Sequence, residues 1–293
     1  MKIGIVGGSF FDSGLEQGVI CEKIKKIGYD GFDFSLCGDW RTPRPIYSKQ
    51  ASEWRKAFSD TAKIIHDAGL EVLQTHATFA TDFIEVGKFS QECLDQFEKE
   101  IETTAIMGSK YIVIHPINIA ISNTKKEQDF NINMEMYSKL IPILQKYDIK
   151  CCVENMFIFN TPEKKFDATG CSTIEDMIKY IDSLNSDRFV ACLDTGHMNM
   201  LGISPAEAAR KLGNRLEVLH CHDNFALHDD HSAIGVGIID WVDFAKALKD
   251  IDYKGAFSTE VIASPLKRIN IDLMFKYAEF NYHCAKAVVD MIK

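Results

Sequence analysis

Nowhere is this sequence apolar for the roughly 18 residues that a membrane span needs. The N-terminus, Met-Lys-Ile-Gly-Ile-Val, passes straight into a strand-like run, so a secretory leader is not expected. The nine cysteines are scattered, odd in number and never spaced CxxC. That argues against a disulfide framework or a zinc ribbon and for buried thiols in a reducing cytoplasm. Gly4, Gly7 and Gly8 do not make the GxGxxG turn that cradles a dinucleotide. Positive charge is in deficit, with 33 Lys and Arg against 42 Asp and Glu for a net charge of -9. Such a chain has no general attraction to a phosphate backbone, which counts against a dedicated nucleic-acid binder while leaving a local basic groove open. Low-complexity segments and linkers rich in Pro, Gly or Ser are missing too, so one domain over residues 1–293 is expected.

What remains is an ordinary globular balance, 46% hydrophobic and 26% charged over 293 residues. A chain of this length buries about three quarters of its unfolded surface and needs no covalent staples. Eight β-rich apolar runs stand out: Lys2–Val6, Gly31–Leu36, Glu71–His76, Lys110–His115, Lys150–Glu154, Phe189–Asp194, Leu216–His220 and Gly255–Glu260. Helical patterns lie between them, at Gln50–Ala68, Gln91–Met107, Asn131–Tyr147, Thr173–Leu184, Pro205–Leu212 and Trp241–Ile251. Gly69 and Gly108 suit helix C-termini, and Ser204-Pro205 suits an N-cap followed by proline in the first turn. Strand–helix alternation repeated eight times predicts an α/β fold, a closed (β/α)8 TIM barrel, with an open doubly wound sheet as the alternative. Most strand starts are 39 or 40 residues apart, the length of a βα unit rather than of a solenoid repeat.

The strand ends carry the chemistry. Strand 3 ends in His76, strand 4 in His115, strand 5 in Glu154-Asn155 and strand 6 in Asp194-Thr195-Gly196-His197. Strand 7 ends in His220-Cys221-His222-Asp223-Asn224, its loop brings Asp229-Asp230-His231, and strand 8 ends in Glu260. In a barrel all C-terminal strand ends meet at one face. Of the nine histidines, seven sit at strand ends or in the loop after strand 7. A single strand-end histidine is more often a core or capping group than a ligand. Several carboxylates closing apolar strands are harder to explain structurally, because each costs several kcal/mol to bury alone. A divalent cation is the simplest shared partner.

Read together, Val-Glu-Asn at 153–155, Leu-Asp-Thr-Gly-His-Met-Asn at 193–199 and His-Cys-His-Asp-Asn at 220–224 resemble the sugar phosphate isomerase/epimerase superfamily. So do His231 with Gly235-Val236-Gly237-Ile238-Ile239-Asp240-Trp241, and the tail from Asp252 to Glu260. That superfamily has a xylose isomerase-like TIM barrel and includes the type IV apurinic endonucleases. The resemblance implies one divalent metal (Mn2+, Mg2+, Co2+ or Zn2+) held by Glu154, Asp194, His220 and Glu260. His222 competes with His220 for the strand 7 position, and the family pattern of His, two residues, then an acid favours His220. In the epimerases the position of His197 contacts a sugar hydroxyl. In the endonucleases a nine-ligand, three-zinc pattern corresponds to His76, His115, Glu154, Asp194, His197, His220, Asp229, His231 and Glu260. Gly235-Val236-Gly237 departs from that family's Gly-Glu-Gly.

The mechanism this implies is proton transfer beside a carbonyl, with Glu154 and Glu260 as the two proton carriers and the metal stabilising the ene-diolate. The expected activity is a sugar or sugar phosphate isomerase or epimerase acting on a small carbohydrate; self-association into a homo-oligomer is compatible with it. Competing readings are a trinuclear zinc apurinic endonuclease, a keto-inositol dehydratase on the same fold, and a barrel retained only for binding. Phe10, Phe11, Phe79 and Phe157 are candidate apolar walls around a sugar. Asn155 is expected to orient a ligand. Trp40, Arg41 and Arg44 in the loop after strand 2 could cap a sugar, and Lys125-Lys126 and Lys164-Lys165 read as solvated charge.

Overall fold

The computed structural model describes residues 1–39, 42–80, 89–117, 126–160, 165–168 and 170–293. Trp40, Arg41, Lys125 and Lys164 lie outside the described residues. Eight parallel strands form the barrel: β1 Ile3–Val6, β2 Gly31–Ser35, β3 Glu71–His76, β4 Tyr111–Val113, β5 Lys150–Glu154, β6 Phe189–Asp194, β7 Leu216–His220 and β8 Phe257–Thr259. They pair in the order β7-β6-β5-β4-β3-β2-β1-β8. The ring closes just beyond β7, where Cys221 bridges Thr259 in parallel. Cys221 N donates to Ser258 O at 2.9 Å and Glu260 N donates to Cys221 O at 3.0 Å. The open-sheet alternative is thereby ruled out, and the closing seam falls between the two histidines that compete for the strand 7 position.

Among the described residues eight principal helices surround the barrel: α1 Gln17–Ile27, α2 Ala51–Asp67, α3 Gln91–Ile106, α4 Lys126–Tyr147, α5 Ile174–Leu184, α6 Pro205–Leu212, α7 Trp241–Asp250 and α8 Asp272–Ile292. Their starts are chemically marked. Gln50 and Glu53 make a reciprocal cap on α2, Thr173 and Asp176 do so on α5, and Ser204 caps α6 ahead of Pro205. Helices α1 and α8 are additions to the sequence reading. The first carries β-branched Val19 and Ile20 beside Gly18, and the second is rich in aromatics, so neither has strong intrinsic propensity. Tertiary packing decides both: Ile20 and Ile24 of α1 are fully buried, as are Met274 and Ala278 of α8. None of the described helices is long and apolar enough to cross a membrane.

Two apolar populations separate cleanly. The large one fills the space between strands and helices; Phe32, Ile112, Leu193 and Phe257 are fully buried there, each contributing about 1.5–3 kcal/mol of burial. The small one comprises Val113, Cys152, Val190, Cys192 and Val218 from four adjacent strands. In β4 to β7 the residue two positions beyond each inner Val113, Cys152, Cys192 and Val218 is His115, Glu154, Asp194 and His220. Period two therefore lifts the chemistry directly above a dry layer.

Candidate metal and substrate site at the barrel mouth

Glu154 and Asp194 close β5 and β6, His220 closes β7 and Glu260 follows β8. One ligating atom from each lies within 4.8 Å of the others. Glu154, Asp194 and His220 are almost wholly buried, and Glu260 is partly open. His220 Nδ1 stands 3.3 Å from Glu154 Oε1 and 3.2 Å from Glu260 Oε2. It is nevertheless buried without a hydrogen-bond partner. An orphaned imidazole nitrogen facing two carboxylates is the donor set a divalent cation needs, so the residues fit such an ion.

Asp194 has a second task. Its Oδ1 accepts from His197 N at 2.7 Å, capping the short helix Thr195–Met200. This turn places His197 over the site. Asn155 acts on the backbone: its Oδ1 accepts from Asp194 N at 2.8 Å and its Nδ2 donates to Asp194 O at 3.0 Å. Its own carbonyl meets His197 Nδ1 at 2.9 Å. Asn155 thus fixes the Asp194 backbone and makes no hydrogen bond to the Asp194 carboxylate.

Two further donor groups flank the first. His76, His115 and Glu154 form one. His115 Nε2 is 2.7 Å from Glu154 Oε2 and 3.0 Å from His76 Nε2. His197, His222, Asp229 and His231 form the other. His231 Nε2 is 3.2 Å from Asp229 Oδ2, and the His231 ring stacks on His222 with centroids 4.0 Å apart. His222 Nε2 also reaches Asp194 at 3.1 Å. The two strand 7 histidines therefore serve different groups: His220 sits with the four-donor set and His222 with the one beside it. Gly196 is the condition for this, because a Cβ there would lie 1.9 Å from the His222 ring. His228 and Asp230, in the same loop, are exposed.

Asp223 and the glycine turn build the wall. Asp223 accepts from Gly235 N at 3.0 Å, Ile239 N at 3.3 Å and Trp241 Nε1 at 2.8 Å. Gly237 lies so close that a Cβ would sit 2.2 Å from Asn224 O. The turn is a packing device, and its middle residue, Val236, points to solvent.

The electrostatics are those of a self-compensating acid–imidazole network. Burial pushes the Glu154 carboxyl up, but the His220 and His115 imidazoles outweigh it and hold the group well below the usual carboxylate range. Burial likewise opposes charge on His220, yet the acidic groups around it, Cys192, Glu260 and Glu154, raise it well above the ordinary imidazole value. His231 rises to about 9 because Glu260 and Asp229 overcome its burial. In His115 burial wins, pulling it down to about 4.

A cavity of about 730 Å3 opens over the donors. Phe79 packs edge-on against His115 at 3.9 Å between centroids, Phe157 does the same to His197 at 4.9 Å, and both line the cavity. Phe10 differs from the expectation: it is fully buried and packs on Phe275 of α8. Phe11 packs on Phe32 and Phe34. The short helix Gly8–Phe11 turns both rings toward the helical shell and presents Gly8 and Ser9 to the cavity instead. Arg44 is tied to the wall, its Nε donating to Ser35 O at 3.0 Å and its Nη1 lying 3.3 Å from Asp12.

The fold defines the class, a TIM barrel with acids and histidines gathered at the C-terminal strand ends, and sequence comparison gives the family. Over residues 21–276 the chain matches the family described as xylose isomerase-like TIM barrel, and it belongs to that family. It is 28% identical over 238 residues to the D-psicose 3-epimerase of Enterocloster bolteae, covering 80% of this chain and 73% of that protein. A D-psicose 3-epimerase crystallised in the presence of D-fructose superposes with a TM-score of 0.74 at 18% identity, over 99% of both chains. The IOLI protein, solved with a bound zinc atom, superposes with a TM-score of 0.73 at 21% identity, over 100% of this chain and 98% of that one.

Proposed function

We propose that this protein is a divalent-metal-dependent isomerase or epimerase of a small sugar or sugar phosphate. The observation that carries the reading is the four-donor set, in which the buried His220 Nδ1 faces Glu154 and Glu260 with no partner of its own. The similarity to a D-psicose 3-epimerase supports the substrate class. Glu154, Asp194, His220 and Glu260 would hold the cation, and Mn2+, Mg2+, Co2+ and Zn2+ all accept such donors. Bound there, a divalent ion supplies Lewis-acid polarisation of a ketose carbonyl and the neighbouring hydroxyl.

The chain's own residues do the rest. Glu154 and Glu260 both approach His220 Nδ1, yet they arise from β5 and from the end of β8 across the mouth. One takes the proton beside the carbonyl and the other returns it from the opposite face. His197, and behind it His76 and His115, bind hydroxyls. Phe79 and Phe157 exclude water from the reacting carbon. Incubation with candidate ketoses in heavy water tests this: solvent deuterium should enter beside the carbonyl. Retention of the substrate hydrogen on a confirmed substrate would reject proton transfer in favour of a hydride shift.

A second reading has its own observation. The three donor groups around Glu154 and Asp194 could hold three ions, the arrangement that the resemblance to the apurinic endonucleases implies. Metal analysis separates the two. One ion per chain with no incision of abasic DNA supports the sugar enzyme; three zinc ions with efficient incision support the endonuclease. The net charge of -9 favours the first.

A further inference from the structure

Asp33 lies mid-strand in β2 and is 1% exposed. The proton-transfer scheme does not use it. Its Oδ2 accepts two hydrogen bonds, from Gln74 Nε2 at 2.9 Å and from His220 Nε2 at 2.8 Å. Its Oδ1 is buried with no partner. Gln74 reaches it through a shift in the β2–β3 register, where Phe32 pairs with Val72 but Asp33 pairs with Gln74, skipping Leu73. A carboxylate in this position is not what strand packing calls for, since an apolar side chain would fill it without desolvating a charge.

We propose that Asp33 is a positioning residue for the metal site: it keeps the proton of His220 on Nε2, so that the Nδ1 lone pair faces Glu154 and Glu260 and is free to ligate. This rests on the reading of His220 as a ligand. A metal can enter only when the imidazole is neutral, and the chemistry follows from the two neutral tautomers. With the proton on Nε2, Asp33 accepts it, and Nδ1 confronts two carboxylate oxygens as a third electron-rich atom, an arrangement that a cation completes. With the proton on Nδ1, His220 would donate to Glu154 or Glu260 and close the site without any ion, leaving two lone pairs opposed at the Asp33 contact. Asp33 opposes that second state, and Gln74 fixes the oxygen through which it acts. The negative charge also makes the imidazole a stronger donor to a metal.

Asp33→Asn separates charge from shape, because the amide nitrogen can take the place of the unpartnered Oδ1 while the other oxygen still accepts from His220 and Gln74. Asp33→Ala removes the acceptor altogether. Both variants and the native protein would be stripped of metal and titrated with Co2+ by calorimetry, with histidine nitrogen spectra recorded on the stripped proteins. The expected result is a Co2+ affinity about tenfold weaker for Asp33→Asn and about a hundredfold weaker for Asp33→Ala. At a pH high enough for His220 to be neutral, its Nε2-protonated signal should persist in the native protein and be lost in Asp33→Ala. If Asp33→Ala does not fold, the Asn variant alone decides. Folded variants that bind Co2+ as the native protein does, even with lowered melting temperatures, would overturn the proposal and leave the metal site standing. A native protein that binds no Co2+ would overturn the metal reading itself, and this inference with it.

Discussion

At the N-terminal end of the barrel, Lys150 Nζ lies 2.6 Å from Glu217 Oε1 and Tyr111 donates to the same carboxylate at 2.9 Å. That end is neutralised within itself, by a cation and a hydroxyl on a partly buried acid. The C-terminal end holds Asp33, Glu154, Asp194, Asp229 and Glu260, and no described Lys or Arg forms an ion pair with any of them. Among the described residues their charge partners are imidazoles. Between the two lies the buried Val and Cys layer of β4 to β7. One barrel thus contains a polar plug neutralised by a cation at one end and an acid–imidazole cluster at the other, where this architecture carries its active sites.

The difference can be broken most forcefully at the top. Replacing Glu154 or Glu260 by Gln keeps the shape and an oxygen ligand but removes proton transfer, so turnover should fall roughly 10²–10⁴-fold. Metal affinity, read by titration, should fall by a smaller factor. Glu217→Gln at the bottom should leave turnover unchanged in the same assay.

Chelation acts on one end only. With free metal at a hundred times its dissociation constant, the loaded protein should be about 2.7 kcal/mol more stable than the stripped one in denaturant melts. Gly196→Ala, whose new methyl takes the space of the His222 ring, should lower stability with and without metal.

pH sharpens the contrast. His220 is raised well above the ordinary imidazole value, so a metal binding at neutral pH must displace its proton. Metal affinity should rise about tenfold per pH unit for one proton released, as far as the folded pKa of His220. In the stripped protein, His231 is raised from 6.5 to about 9, so its stabilising contribution is complete below 6.5 and lost as pH climbs through 9. His115 is lowered to about 4, so stability falls on that account as pH drops from 6.5 toward 4, where only the unfolded chain takes up the proton. Melting temperature against pH for the stripped protein should therefore peak near 6.5 from these two groups.

The smallest effect belongs to the bottom plug. Glu217→Gln should cost ~1 kcal/mol, equally with and without metal, because the two ends lie too far apart to couple.

Most of the barrel was legible because its strands are short, apolar and closed by polar residues. The ranges for β3, β5, β6 and β7 coincide with those read from the sequence. Helices α1 and α8 were not legible, since packing rather than propensity makes them. Among site residues, the strand-end histidines and acids were visible because a charged group ending an apolar strand breaks its pattern. Asp33 was not: in Gly-Phe-Asp-Phe-Ser it looks like the polar member of an alternating strand. Only the register shift at Leu73 and the distance to His220 reveal its task. His222 was seen as a rival to His220, whereas its place in a neighbouring group depends on the room that Gly196 leaves.

The most direct measurement is anomalous scattering at the metal edge from crystals grown with Mn2+ or Co2+. The account requires a peak with Glu154, Asp194 and Glu260 oxygens and His220 Nδ1 all within roughly 2.0–2.6 Å. A mouth with no peak, or a peak held by His222 while His220 stays bound only to Asp33, would contradict it.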